Sequence, residues 1–310
     1  MKFNIIGNRY RYFLISALLV VGSIVALFTV GLKGGIEFSS GTVLTIPFQN
    51  EVSYDQVRQI VSDQGYTNAI VQEAGANEFI IRTVELSDGE EAALVQALEQ
   101  QLGATGEISK ADVNPKTASE TVRQSIIAIF AASVGILLYI AWAFRRMPHP
   151  FRYGMCAVIA LGHDVLVALG VFAVLGAILK WEINLMFITG LLAVIGYSVN
   201  NMVVIFDRIR ENTLRGLHPE FAVTVNGSLI ETLSRSMNTT LTTLLTVLAV
   251  LLFVGSDIQN FAIVLLIGIV AGTFDSIFVA PALLVVWDKG EWGRFLPWKW
   301  GARVVEQTEG

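Results

Sequence analysis

Residues 183–206 read INLMFITGLLAVIGYSVNNMVVIF, without one charged side chain between Ile183 and Phe206. As a helix, at about 1.5 Å per residue, that run is roughly 36 Å long and can cross a hydrocarbon core of about 30 Å. Five further apolar runs of spanning length flank it, at roughly 12–32, 124–144, 153–179, 234–256 and 261–287. The whole composition agrees. Of 310 residues, 54% are hydrophobic and only 15% charged, where a soluble domain carries about 25% charged residues; the mean hydropathy is +0.61. The charges crowd into residues 33–123 and into short stretches between the runs. The fold class read from this pattern is an α-helical membrane protein with six transmembrane helices and one inserted domain. The first run exceeds the apolar core of a cleavable signal peptide, and Gly31-Leu32-Lys33-Gly34-Gly35 offers no small-x-small cleavage site, so it is expected to remain a span. The single cysteine, Cys156, excludes an intrachain disulfide, and the ligands for a zinc site are lacking, so no metal is expected.

Orientation follows from lysine and arginine. Lys2, Arg9, Arg11, Arg145, Arg146, Arg152, Arg208, Arg210, Arg215, Arg235, Lys289, Arg294, Lys299 and Arg303 fall in one set of connecting segments, 14 of the 21 basic residues. The other set holds six in 33–123 and Lys180. Both termini are therefore expected in the cytoplasm and 33–123 outside it, which suits a stretch with 14 of the 26 acidic residues. The organisation becomes 1–32 for the N-terminus and first span, 33–123 for the external domain, 124–290 for a five-helix bundle and 291–310 for a cytoplasmic tail.

Within 33–123, residues 42–48 alternate and are rich in β-branched side chains, as a strand requires. Val57, Ile60 and Val61 have helical spacing, stopped by Gly65; Leu94, Leu98 and Leu102 form a second helical face behind a Ser87 cap, stopped by Gly103. Residues 69–73 and 78–83 read as a hairpin across 74–77, and 107–113 as a last strand. The order β-α-β-β-α-β is the ferredoxin-like split motif. It contains no histidine, cysteine or Gly-rich phosphate loop, so a binding or mechanical module is expected.

Polar groups at bilayer depth are the functional candidates, because burying them there costs several kcal/mol. His163 and Asp164 lie about 15 Å along the third span, Asn200 and Asn201 about 25 Å down the fourth, and Asp275 about 21 Å down the sixth. Arg235 stands at the start of the fifth. Each has a plain structural alternative: the asparagines as hydrogen-bonding glue, Arg235 as a snorkelling anchor, His163-Asp164 as a self-satisfied pair. Asp275 is the hardest to dismiss, a lone carboxylate too short to snorkel and a candidate proton carrier. Gly190, Gly196, Gly255, Gly268 and Gly272 allow close helix packing around these groups. After the fourth span, Asp207 with Arg210 and Arg208 with Glu211 are i,i+3 pairs. Ile209, Leu214, Phe221, Val225, Leu229 and Leu233 give a stripe expected to lie on the membrane surface, against membrane lipid. Acids intersperse the arginines, so no nucleic-acid role is expected.

Several blocks together resemble the SecF family, membrane subunits of the bacterial Sec protein-translocation machinery within the resistance-nodulation-division (RND) superfamily. They are Gly34-Gly35-Ile36-Glu37-Phe38-Ser39-Ser40-Gly41-Thr42, His163-Asp164-Val165-Leu166, Ile195-Gly196-Tyr197-Ser198-Val199-Asn200-Asn201, Asp207-Arg208-Ile209-Arg210-Glu211-Asn212, Thr232-Leu233-Ser234-Arg235-Ser236 and 266–273. The resemblance covers about residues 5–290. It implies half of an RND-type twelve-helix unit in the cytoplasmic (inner) membrane, completed by SecD and associated with the SecYEG channel, with SecA and YajC as further candidate partners. A translocating polypeptide would be the substrate and the proton motive force the driver, with proton or sodium as coupling ion and no cofactor. In the family an aspartate follows the asparagine of the Gly-Tyr-Ser-x-Asn block and acts with an arginine 34 residues later in proton conduction. Arg235 matches that arginine; Asn201 stands where the aspartate would be. Asp275 stands where such sequences carry a small residue, so either the titratable carboxylate has moved to the sixth span or SecD carries the protons. Ser39-Ser40 replace the usual Thr-Gly and Thr117-Ala118 the usual Val-Gly, at joints where Gly34, Gly35 and Gly41 serve as hinge candidates.

The competing reading is a half-transporter of the same superfamily exporting small molecules or lipids. An enzyme is disfavoured: His149, His163 and His218 lie in separate segments, and there is no phosphate-binding loop.

Overall fold

The computed structural model describes residues 4–294 apart from 76, 107, 180, 217 and 254–257. Lys2, Lys180, Lys299, Arg303, most of the expected 291–310 tail, Gly255 and the first residue of the expected last strand lie outside the described residues.

Six helices have the length and apolarity to cross a membrane. They are α1 (Arg9–Thr29), α5 (Pro115–Ala143), α6 (Pro150–Leu179), α7 (Leu185–Leu214), α8 (Phe221–Phe253) and a last span made of α9 (Gln259–Phe274), a π-helical segment (Asp275–Val279) and α10 (Ala280–Asp288). The helices overrun several of the expected limits. α5 starts at Pro115, with Asn114 accepting a capping bond from the Thr117 amide at 2.8 Å. α7 and α8 run past the membrane-length stretch, and only residues 215–220 join them. The expected surface-lying amphipathic segment is therefore corrected to a helical hairpin. Ile209, Val225 and Leu229 are buried within it or against the other helices. An apolar stripe reports that something covers it, not whether lipid or protein does.

Between α1 and α5, after the short helix α2 (Ile36–Ser39), sits a four-stranded antiparallel sheet of order β2-β3-β1-β4, where β1 is Gly41–Pro47, β2 Ile70–Gly75, β3 Glu78–Thr83 and β4 Ser109–Val113. With α3 (Tyr54–Asp63) between β1 and β2 and α4 (Asp88–Leu102) between β3 and β4, this is the ferredoxin-like arrangement. Leu44, Ile46, Val71, Phe79 and Ile81 point to one side of the sheet and pack with Val57, Ile60, Leu94 and Leu98 of the helices. Both helices begin with capping boxes; Glu90 reaches back to the Ser87 amide at 2.9 Å. Gly103 ends α4 at φ +68°.

The three glycines at the joint approach their neighbours closely. Gly34 bridges Ile183, the Gly35 amide donates to the Ile183 carbonyl at 2.8 Å, and a Cβ on Gly41 would lie 2.2 Å from the Thr83 carbonyl oxygen. Ser40 takes φ +62°, the left-handed conformation that glycine adopts without strain. That is the position where the resemblance leads one to expect glycine.

Candidate functional site

The inner helices α6, α7 and α9 meet through small residues. A Cβ on Gly268 would fall 2.1 Å from Val194 Cγ2, one on Gly190 2.3 Å from Val264 Cγ1, and one on Gly272 2.9 Å from Ser198 Oγ. Gly190, Val194 and Ser198 are spaced four apart on α7, as are Val264, Gly268 and Gly272 on α9, so one ridge interlocks with the other. This contact brings their polar side chains onto α6. Beyond Gly272 the helix widens. The Ala280 amide donates to the Asp275 carbonyl, five residues back, and Pro281 follows with no amide to offer. Such a bulge re-aims the side chains that it carries.

The result is a buried polar cluster. His163 Nδ1 lies 2.7 Å from Asp275 Oδ2 and 3.9 Å from Asp164 Oδ1. Asp164 Oδ2 accepts from Ser198 Oγ at 2.5 Å. Asn201 Nδ2 donates to Ser276 Oγ at 2.6 Å, and Ser276 in turn donates to the Thr273 carbonyl at 3.1 Å. Thr273 and Thr240 share a hydroxyl bond of 2.9 Å, extended to Tyr197 at 3.2 Å. Asp164 and Asp275 are 0% exposed and His163 6%. The His163–Asp275 contact has the distance of an ion pair without hydrogen-bond alignment, and Asp164 Oδ1 has no donor among the described residues.

Asp275, alone among the apolar residues of its span, faces His163 of another span with Asp164 beside it, and one expectation changes. His163 and Asp164 are not a self-satisfied pair; each turns to another helix. Asn201 meets the residue next to Asp275, so the two positions do share a level. Asn200 points away and is exposed. Arg235 is exposed on α8, and no ion pair to it occurs among the described residues. Sequence reasoning passed over Ser198, Ser276, Thr240 and Thr273, whose signal was small polar residues on the buried faces of three spans.

Chemically, the cluster is able to hold protons. Two carboxyls and an imidazole are electrically neutral only when two titratable protons are shared among them. Loss of one leaves a buried negative charge, costly in a low-dielectric interior. One donor atom from each residue lies within 4.8 Å of the others, close enough to converge on a cation. The 2.7 Å spacing of His163 and Asp275 is nevertheless shorter than the separation of about 3.3 Å between two donors on one tetrahedral zinc. A proton fits that gap without parting them.

At the end of the bundle opposite the sheet, Asp207 pairs with Arg210 at 2.7 Å and Arg208 with Glu211 at 2.5 Å, the two expected i,i+3 pairs. Arg208 also reaches Glu231 at 2.5 Å, and Asn212 bonds Ser228 and Glu231 at 2.9 Å, fastening α7 to α8. Arg9 makes a bidentate pair with Glu291, closing the first span against the last.

Six spans, a polar cluster inside the bundle and a ferredoxin-like domain after the first span define a multi-pass membrane protein of the RND-like class. The family model described as protein export membrane protein SecD/SecF, C-terminal, matches residues 94–290. The chain belongs to the SecD/SecF family. It is 43% identical over 303 residues to protein translocase subunit SecF of Thermobaculum terrenum, covering 94% of this chain and 96% of that one. To the SecF of Anaerolinea thermophila it is 37% identical, over 93% and 95%. The crystal structure of SecDF, a translocon-associated membrane protein from Thermus thermophilus, superposes with a TM-score of 0.82 at 32% identity, covering 93% of this chain and 39% of that one.

Proposed function

We propose that this chain is the SecF half of an ion-driven protein-export device, in which protonation of the His163–Asp164–Asp275 cluster moves α6, α7 and the last span against one another. The observation that carries this reading is the meeting of three buried titratable groups from two helices at a π-helical bulge. The chain would sit in the cytoplasmic membrane with both termini inside and the sheet domain outside, as its basic residues favour. SecD would supply the other six spans; the share of the SecDF chain left unmatched supports such a partner. SecYEG, and SecA or YajC beside it, would deliver the emerging polypeptide. Asn201, which does not titrate, would hold the bulge through Ser276 while Asp275 changes its proton. Arg235 and Asn200 would face the SecD half. Export of small molecules or lipids is the less favoured reading, since the matched relatives are translocase subunits.

The test is polypeptide export into inverted membrane vesicles holding the chain with its partners, with and without an imposed proton gradient. Asp275→Asn is expected to lower the gradient-dependent part at least tenfold while leaving assembly intact. An unchanged gradient dependence would remove this chain from the coupling step.

A further inference from the structure

Arg82 stands on β3, on the sheet face away from α3 and α4, and points into a groove of about 740 Å³ between the sheet and the bundle. Its guanidinium meets the carboxylate of Glu182, in the connection from α6 to α7. Among the described residues this is the ion pair that crosses from the inserted domain to the bundle. Glu182 is buried, and Glu37 lends Arg82 a second negative neighbour that partly offsets its loss of solvation.

The backbone around Glu182 gathers the helices of the cluster. Asn260, at the head of α9, donates to the Glu182 carbonyl at 2.8 Å. The Ile183 amide donates to the Lys33 carbonyl and its own carbonyl accepts from Gly35, both at 2.8 Å. Asn184 caps α7 through the Phe187 amide at 2.9 Å. So α6, which carries His163 and Asp164, ends just before residues 182–184, α7, which carries Ser198 and Asn201, begins just after them, and α9, which leads into Asp275, is tied to them through Asn260. The cluster lies roughly 25 Å away along these helices, at 1.5 Å per residue. Helices are stiff over that distance, so a shift at the cluster displaces this junction.

We propose that Arg82–Glu182 is a releasable latch: it seats the inserted domain on the bundle, and relative movement of α6, α7 and α9 opens or closes it. This rests on the coupling role given above to the cluster. The geometry favours release over a permanent weld. One pair carries the charge contact, the groove around it admits water, and Glu37 offers Arg82 an alternative partner once Glu182 moves.

The experiment measures a distance distribution between spin labels on exposed sites of the domain and the bundle. Gln64→Cys and Ile178→Cys serve, in a Cys156→Ser background, with the chain and its partner half in membrane vesicles. Arg82→Glu is expected to lower the seated population at least fivefold, and the exchange Arg82→Glu with Glu182→Arg to restore it, which a folding defect would not allow. Asp275→Asn alone is expected to shift the same population at least twofold. A distribution unmoved by Arg82→Glu overturns the latch. So does one that Arg82→Glu moves and Asp275→Asn does not. Gradient-dependent export in the Asp275→Asn chain, read separately, judges the coupling role: its loss beside an unmoved distribution sinks the latch alone.

Discussion

The first and last spans have the same hydropathy, 2.3, yet 6% of the first is buried inside the chain and 67% of the last. Both satisfy the membrane equally well. What separates them is the side-chain pattern. α1 presents Leu14, Leu18 and Phe28 outward, with exposures of 62%, 65% and 87%. α9 carries Gly268 and Gly272, four residues apart, which let α7 approach. In lipid an exposed leucine costs nothing, so burial within the bundle is governed by small residues and by polar groups needing partners, not by greasiness. The inner helices therefore hold the chemistry and the outer ones offer surface.

Replacing glycines should have the largest effect. Gly268→Leu must displace Val194, and overpacking of this kind costs about 1–3 kcal/mol. Gly22 in α1 and Gly135 in α5 have nothing within 4 Å of the position a Cβ would take. Gly22→Leu and Gly135→Leu should change thermal stability by less than about 0.5 kcal/mol. Melting curves of the purified chain in lipid nanodiscs decide it; equal losses at all three positions would mean that inner and outer helices do not differ as described.

A smaller effect sharpens the picture of the bulge. Ser276→Ala removes the acceptor of Asn201 and should cost about 1 kcal/mol, as interhelical hydrogen bonds in membranes do. Hydrogen exchange in residues 275–280 should rise with it, while the sheet domain stays unaltered. Protection that is unchanged there would show the Asn201–Ser276 bond to be dispensable for the π-helical segment.

The smallest expected change is a gain, and it falls outside the bundle. Ser40→Gly relieves the left-handed conformation and should stabilise the joint by about 1 kcal/mol, less the added freedom of the unfolded glycine. Slower exchange of the β1 amides is the readout, and faster exchange would contradict the strain.

Much of the architecture could be read from residue order. β1 and β3, the antiparallel pairing of β2 with β3 and both domain helices follow from period and capping, because each buries a face within its own small domain. The Asp207–Arg210 and Arg208–Glu211 pairs are local and were equally legible. The surface-lying segment was misread because α7 and α8 cover one another's stripes, and periodicity does not name the cover. Asp275 was found by its oddity, but its partner was not. Nothing in one helix tells which turn of another will face it, and here a bulge before Pro281 has altered the aim. Arg82 and Glu182 are 100 residues apart and unremarkable in their own neighbourhoods.

Six helices long and apolar enough to cross a membrane, the inserted βαββαβ domain and the place of each polar group along its own helix could thus be read from sequence alone. All of these depend on local period, length and solvation. Tertiary structure decided that His163, Asp164 and Asp275 form one cluster, that Asn200 and Arg235 stand outside it, and that Glu182 joins three helices to the sheet. Those facts rest on helix rotation and close packing at glycines, a balance between distant surfaces that no single segment encodes.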